Sequence, residues 1–193
     1  MGRVRTFSQG KSLTWADLES FDDDGYRYEL LDGTLLMSPS PRPIHQRVVA
    51  RLLAVLSVHC PRELEVLPAP VDVLLAEDTV LIPDIVVGRR DDFTERGLIG
   101  PPVLAVEVIS RSSRLIDQKL KPAKLADAGC PNYWIVDPNL PDMRCFSLSD
   151  SEAGYAERVH LTGEKLTELH EPYRVELSAD YLVADYPDEG LIT

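Results

Sequence analysis

The sequence predicts a mixed α/β or α+β protein, because segments with helical and strand-like hydrophobic patterns alternate along its 193 residues. Residues 44–58 carry apolar side chains at helical spacing, whereas short runs such as 103–109 are rich in Val and Ile. No internal repeat or linker interrupts the chain, and 44% of the residues are hydrophobic. A single domain over residues 1–193, built around one core, is therefore expected.

The N-terminal part is expected to begin with ten loose residues and a short helix capped by Thr14. The acidic run 22–24, followed by a glycine, should close this helix. The dipeptide Asp32-Gly33 then separates two strand-like runs and supplies the positive φ angles of a tight two-residue turn. A β-hairpin with strands at 26–31 and 34–37 follows from this pattern.

The remaining elements are two helices and a set of short strands. The first helix is predicted over 44–58, after three prolines, and the second over 113–128 with Gly129 as its C-cap. Residues 89–102 are expected to form a loop. Strands are expected at 65–66, 71–75, 79–81, 84–87, 103–109 and 132–136, with weaker strands at 143–148, 155–160 and 174–177 completing the sheet.

The composition restricts the partners and the compartment. A net charge of −12 argues against non-specific nucleic-acid binding, which depends on basic side chains that release counterions. Between Arg111 and Lys124 the sign reverses, which predicts either a local basic patch or a solvated helix face. No apolar stretch is long enough to span a bilayer and the start lacks a signal peptide, so a cytoplasmic protein without a membrane partner is expected.

The cysteines and histidines show no metal-binding pattern. Cys60, Cys130 and Cys145 are odd in number and lack CxxC spacing, so they are expected to be reduced thiols. The four histidines form no ligand pair and are not assigned to a metal.

Glu107 is the most informative residue because it lies in the otherwise apolar run 104–109. Strand alternation places it on the same face as Ala105 and Ile109. An ionised carboxylate buried without a partner costs several kcal/mol or takes up a proton. The position therefore requires a metal, a cation or a hydrogen-bond network, and a structural salt bridge is the alternative to a functional site.

Asp84 repeats this pattern, since it follows Pro83 and opens the predicted strand 84–87. Consecutive strands are often neighbours, so Asp84 and Glu107 are expected to meet at the ends of two strands. Two carboxylates, completed by a backbone carbonyl and waters, suit Mg²⁺ or Mn²⁺. The pair is the candidate metal site.

A set of motifs in fixed order resembles the Uma2 family, also called DUF820, over about residues 15–148. The motifs are Tyr28-Glu-Leu-Leu-Asp-Gly33, Met37-Ser-Pro-Ser-Pro41 with His45-Gln46, Pro83-Asp84, Val106-Glu-Val-Ile-Ser110, Asp117 with Lys121, Ala128-Gly129 and Asn132-Tyr-Trp-Ile-Val-Asp137. The resemblance implies a restriction endonuclease-like fold, in which a mixed β-sheet flanked by helices carries a PD-(D/E)XK nuclease site.

The resemblance also implies roles for individual residues. Asp84 and Glu107 would be the catalytic acids, and the lysine of the usual pattern would follow the glutamate by two residues. Ile109 stands there instead, so Lys121 on the next helix is expected to supply the amine. Glu29 is expected to be a further acidic ligand or a partner of the lysine, and Gln46 to orient a water or a phosphate.

The function implied is Mg²⁺- or Mn²⁺-dependent hydrolysis of phosphodiester bonds in DNA, by a homo-oligomer, expected to be a dimer by analogy with nucleases that cut both strands. The alternative from another class is a catalytically inactive interaction or assembly protein with a nuclease-like shape, which the acidic charge favours. A glycosidase with two carboxylates is a weaker third possibility, because only 7% of the residues are aromatic.

Overall fold

The computed structural model describes residues 5–7, 12–18, 20–21, 26–38, 40–110, 113–149 and 154–184. The strands are β1 Arg5–Phe7, β2 Arg27–Leu31, β3 Thr34–Ser38, β4 Leu64–Pro68, β5 Val73–Ala76, β6 Thr79–Leu81, β7 Ile85–Arg89, β8 Phe93–Thr94, β9 Gly97–Ile99, β10 Leu104–Val108, β11 Asn132–Asp137, β12 Asp142–Leu148, β13 Tyr155–Thr162, β14 Thr167–Leu169 and β15 Val175–Leu177. The helices are α1 Trp15–Leu18, α2 Pro43–His59, α3 Lys121–Asp127 and α4 Ala179–Val183, with a 3-10 turn at Arg90–Asp92 and a π-helical turn at Ile116–Leu120.

The strands form two mixed sheets and a small hairpin. The order of the larger sheet is β1-β3-β2-β6-β5-β9-β8, and that of the second is β13-β12-β11-β10-β7-β4. In the second sheet β10 and β11 are parallel, and the other pairs are antiparallel. The predicted mixed α+β class with a helix-flanked mixed sheet is confirmed.

The expectation of one continuous sheet is wrong. The chain leaves the first sheet after β6 and enters the second at β7, and between them lies Pro83, which has no N–H to donate to a ladder. The strand predicted at 174–177 is present as β15, but it pairs with β14 in a separate antiparallel hairpin.

The second sheet lies between two apolar layers. Alternation along β10 directs Leu104, Val106 and Val108 into one cluster, which contains the buried apolar side chains of α2. Ala105 and Ile109 belong to the cluster on the other side, together with Leu125 of α3. Glu107, between Val106 and Val108, is thereby directed towards the α3 side.

Two local predictions are confirmed by the structure. Asp32 and Gly33 have φ values of 49° and 70°, as a tight turn between β2 and β3 requires. The helix predicted over 44–58 is α2, which begins at Pro43 and buries Val48, Val49, Leu52 and Leu56.

The predicted helix over 113–128 contains a π-helical turn that the sequence pattern did not indicate. The Lys121 N–H donates to the Ile116 carbonyl, five residues earlier. In this register the Asp117 carbonyl would need a donor from Pro122, which has none. The Tyr133 hydroxyl donates to that carbonyl instead, at 2.6 Å. The predicted C-cap is confirmed, since Gly129 has a φ of 87°.

Several short elements differ from the expectation. The segment 89–102 is not only a loop, because it contains a 3-10 turn and the strands β8 and β9. Residues 5–7, expected to be loose, pair with β3 as strand β1. Helix α4 and strand β14 were not predicted, and the acidic run 22–24 lies outside the described residues.

Two further findings concern the chain as a whole. The three cysteines are free thiols, as expected, with Cys130 and Cys145 buried. Among the helices of the described residues, none combines the length and the apolar character needed to cross a membrane.

Candidate functional site

The ends of β7 and β10 bring Asp84 and Glu107 together. These strands pair antiparallel, with Val106 opposite Ile85, and the same register continued by one position sets Glu107 opposite Asp84. Asp84 lies one residue before β7, not inside it as predicted. Both carboxylates are buried, with 5% and 3% exposure. The predicted meeting of the two acids is therefore what the strand register produces.

The Asp84 carboxylate is held from three directions. The Val108 N–H donates to Oδ2 at 2.9 Å, and His45 Nε2 lies 3.0 Å from the same oxygen. Arg27 Nη1 lies 3.4 Å from Oδ1. Burial opposes ionisation of Asp84, but the hydrogen bond and charge of His45, with the Val108 N–H and the charge of Lys121, keep its pKa below the usual value. The carboxylate is therefore ionised and the His45 Nε2–H donates to it.

Lys121 lies at the centre of a second group of acids. Its Nζ is 2.8 Å from Glu107 Oε1, 2.8 Å from Glu29 Oε1 and 3.8 Å from Asp117 Oδ1. The side chain is only 5% exposed, which is rare for lysine. The π-helical turn carries Asp117, and Lys121 follows the turn directly. Lys121 thus lies beside Glu107, and Glu29 lies beside Lys121.

The protonation of this cluster follows from its charge imbalance. Burial, together with the charges of Asp117, Asp84 and Glu29, raises the pKa of Glu107 well above its usual value despite Lys121. Burial likewise raises the pKa of Asp117 to about 6. Burial works against the ammonium of Lys121, but Glu107, Glu29 and Asp117 more than compensate and raise its pKa. Lys121 keeps its proton, and the three carboxyl groups around it outnumber its single positive charge.

Gln46 occupies a different part of the site from Glu29. Glu29 is buried in β2, and its Oε1 also accepts the Ile82 N–H at 2.7 Å. Gln46 is exposed on the first turn of α2 and lines a cavity of about 430 Å³ that Arg27 and Asp84 also line. Gln46 therefore lies on the side of Asp84 that faces the cavity, which is called the open side. Glu29 lies in the buried part of the site, next to Lys121.

The carboxylate oxygens of Asp84 and Glu107 are the type of ligand that a divalent cation such as Mg²⁺ binds. Among the residues that the structure describes, no three His, Cys, Asp or Glu side chains form a ready-made metal cage. Mg²⁺ rarely uses such cages, because it retains several waters and binds through one or two carboxylates. Each carboxylate oxygen has two lone pairs, so Asp84 Oδ1, which lies 3.4 Å from Arg27 Nη1, keeps the capacity to bind a cation as well.

A comparison with protein families identifies the group to which this site belongs. The sequence model of Uma2, described as "Putative restriction endonuclease", matches residues 14–182. The chain belongs to the Uma2 family. The resemblance carried by the motifs is thereby confirmed, and the Uma2 match includes every residue of the candidate site.

A solved structure shows that the fold is shared with another Uma2-type protein. It is described as a putative nuclease belonging to DUF820 from Anabaena variabilis ATCC 29413. The two chains superpose with a TM-score of 0.68 at 16% identity, over 89% of this chain and 97% of the other. No curated protein matches this sequence. At this level of identity the likeness establishes the fold.

Two residues of the site, Arg27 and His45, were not predicted from the sequence, and they reach Asp84 across 57 and 39 positions of the chain. His45 was left without a role because the histidines form no ligand pair. A histidine in a first helical turn and an arginine in a strand carry no signal of their own. Only the place of His45 in a family motif pointed towards the site.

The basic segment expected between Arg111 and Lys124 is not one continuous patch. Arg114 pairs with Asp137 at 2.7 Å, and Lys124 pairs with Asp32 at 2.8 Å. Lys121 is buried, and Lys119 is exposed, as expected for a surface charge. Arg111 lies outside the described residues. The described bases of this segment therefore serve different parts of the protein.

Proposed function

We propose that this chain is an endonuclease that uses Mg²⁺ or Mn²⁺ to hydrolyse phosphodiester bonds in DNA, with a PD-(D/E)XK-type site. The observation that carries the proposal is the opposition of Asp84 and Glu107 at the ends of β7 and β10, with Lys121 Nζ 2.8 Å from Glu107. The restriction endonuclease description of the Uma2 family and the nuclease description of the A. variabilis protein support the same class of reaction.

Asp84 and Glu107 would hold the cation. When bound, Mg²⁺ or Mn²⁺ polarises a phosphodiester and lowers the pKa of an attacking water. Glu29, Glu107 and Asp117 together exceed the charge of Lys121, and this excess suits a divalent cation. The raised pKa of Glu107 opposes its ionisation, and a cation ligand must be ionised, so cation affinity should rise with pH.

The other side chains position the reacting groups. Lys121 stays protonated, and its ammonium is available to stabilise the negative charge that develops on the phosphate. Glu29 Oε1 lies 2.8 Å from Lys121 Nζ and fixes its direction. His45 and Arg27 orient Asp84 through contacts with its Oδ2 and Oδ1. Gln46, on the open side, is assigned to a water or a phosphate oxygen.

The test is a cleavage assay on plasmid, linear duplex and single-stranded DNA with Mg²⁺ or Mn²⁺. Asp84→Asn and Glu107→Gln keep the shape of each side chain and should each lower the rate by about two orders of magnitude or more. Glu157→Gln, the same change at an exposed position of β13, is the matched control and should cleave like the wild type. Equal turnover by the wild type and Glu107→Gln would remove the proposal.

The second candidate function is a non-catalytic interaction or assembly protein. The specific observation in its favour is that both candidate ligands already have positive partners, Arg27 for Asp84 and Lys121 for Glu107. In such a protein these ion pairs would be purely structural. No cleavage, no heat on titration with Mn²⁺ and a stable oligomer would together decide for this candidate.

A further inference from the structure

A groove beside Asp84 has apolar walls that take no part in the site described above. One wall is the surface of α2, where Val49, Ala50 and Leu53 succeed one another at helical spacing. A second wall is the segment Pro68-Ala69-Pro70, with both prolines exposed. Apolar side chains from both walls therefore line a space of about 430 Å³.

The groove is continuous with the candidate catalytic site. Asp84 and Arg27 form its polar end, and Gln46 lies on the same side of α2. The Ala69 N–H donates to the Asp84 carbonyl at 3.0 Å, so the proline-bearing wall is fixed to the residue that carries the carboxylate. A substrate whose phosphate lies beside Arg27 therefore has this space next to it for a neighbouring group.

The size and charge of the groove restrict that group. Pockets of roughly 300–1,000 Å³ hold one small molecule, and a DNA duplex does not fit into such a space. Among the described residues that line it, Arg27 is the only base and Asp84 the only acid. Duplex DNA is held mainly by many basic contacts to its phosphates, which this groove and a chain of net charge −12 do not offer.

We infer that the groove binds one unpaired nucleotide of a DNA strand, with the base between α2 and the proline-bearing wall and the phosphate directed to Arg27. An unpaired base gains by burial between apolar side chains, and a single nucleotide brings one phosphate, for which Arg27 is the partner. The substrate class is therefore single-stranded or locally unpaired DNA. The choice of DNA rests on the proposed function, and for that reason binding and hydrolysis are measured separately.

The test uses two exposed alanines on α2. Ala50 lines the groove, and Ala54, one turn later, does not. Ala50→Phe fills the groove, whereas Ala54→Phe adds the same side chain outside it. The probe is a fluorescein-labelled single-stranded 12-mer in EDTA, where no hydrolysis is expected, and its blunt duplex is the comparison. Binding is followed by fluorescence anisotropy.

The expected result is that the wild type and Ala54→Phe bind the single strand equally, at least about tenfold more tightly than the duplex. Ala50→Phe should weaken binding of the single strand by about tenfold or more. If Ala50→Phe unfolds, Gln46→Trp, which fills the polar end from the preceding turn, takes its place and should weaken binding likewise.

Three results would overturn the inference: equal binding by Ala50→Phe and Ala54→Phe, equal binding of single strand and duplex, or no binding of the single strand. Hydrolysis with Mg²⁺ is measured on the same proteins. Single-strand binding that depends on Ala50, without any hydrolysis, would remove the proposed nuclease function and leave the groove as a binding site. Hydrolysis that Ala50→Phe leaves unchanged would remove the groove as a substrate site and leave the proposed nuclease function.

Discussion

Lys121 is held by carboxylate oxygens of Glu29 and Glu107, each 2.8 Å from its Nζ, in a place that water scarcely reaches. Removing one partner of a buried ion pair is costly because the other charges stay behind. Lys121→Met is therefore expected to lower the free energy of unfolding by about 3–5 kcal/mol. Urea denaturation at neutral pH measures the change.

Lys119→Met is the matched control, since Lys119 is exposed two residues earlier, and it should change stability by less than about 0.5 kcal/mol. Adding Glu107→Gln to Lys121→Met should recover part of the loss, because one uncompensated carboxylate is removed. Equal urea midpoints for Lys121→Met and Lys119→Met would show that the carboxylates do not need the Lys121 ammonium for stability.

The raised pKa of Asp117 gives stability a defined pH dependence. Burial raises this pKa from 3.8 to about 6, so the folded chain binds this proton at pH values where the unfolded chain has lost it. Asp117 therefore does not destabilise the folded chain below about pH 4, where it is protonated in both states. As the pH rises through about 6, its ionisation lowers the free energy of unfolding. Asp84, with a lowered pKa, acts in the opposite sense and loses its contribution as the pH falls.

Asp117→Asn is expected to become more stable relative to the wild type as the pH rises from 4 to 7, by about 3 kcal/mol at most. Denaturation curves in EDTA at several pH values measure this difference. The matched control is Asp127→Asn, the same change at an exposed position of α3. A flat difference for Asp117→Asn between pH 4 and 7 would contradict the raised pKa.

The residues of the site differ in how far the sequence revealed them. Glu107 and Asp84 were found because a carboxylate in an apolar strand is conspicuous, and Lys121 was found only through the family motif. Arg27 and His45 were missed because their contacts with Asp84 depend on how β2 and α2 pack beside β7. Such long-range contacts leave no pattern in the local sequence.

Among the elements, the π-helical turn before α3 is the one most closely tied to the site. It exists in a register that leaves the Asp117 carbonyl without a backbone donor, and the Tyr133 hydroxyl supplies the missing hydrogen bond at 2.6 Å. Tyr133→Phe would leave a buried carbonyl unsatisfied, at a cost of about 1–3 kcal/mol. Urea denaturation measures the loss, and faster amide exchange over 116–121 should accompany it.

Tyr155→Phe is the matched control, because the Tyr155 hydroxyl also donates to a backbone carbonyl, that of Cys130, at 2.7 Å. It should lower stability without faster amide exchange over 116–121. If the two variants exchange alike over these residues, the hydroxyl of Tyr133 does not hold the turn.

The elements that the sequence predicted well have strong local causes. The β2–β3 hairpin follows from Asp32-Gly33, and α2 follows from a 3.6-residue apolar period over four turns. The two-sheet arrangement did not follow, because β5 pairs in parallel with β9, 20 or more residues later, and β2 meets β6 through the single pair Leu30–Val80. Strands of two or three residues, such as β8 and β9, are too short to show a period.

At the scale of the whole molecule, the net charge of −12 separates this chain from proteins that bind DNA through a broad basic surface. The positive side chains of the site, Lys121 and Arg27, are instead paired with its own acids. An acidic protein of this kind is expected to select its substrate through the site itself and the groove beside it.

The homodimer stays a prediction at this scale. Sedimentation equilibrium should give twice the 21.5 kDa mass of the chain if cleavage of both strands requires two copies. A mass of 21.5 kDa at micromolar concentration would contradict the dimer. It would leave the single-strand groove unaffected, since one copy suffices for an unpaired substrate.

The most direct measurement is calorimetric titration of the EDTA-treated, desalted protein with Mn²⁺. One binding site per chain is expected for the wild type and for Glu157→Gln, with affinity that rises with pH, and no site for Asp84→Asn or Glu107→Gln. A wild-type protein that gives no heat, or binding that survives both substitutions, would contradict a divalent cation held between these two strand ends.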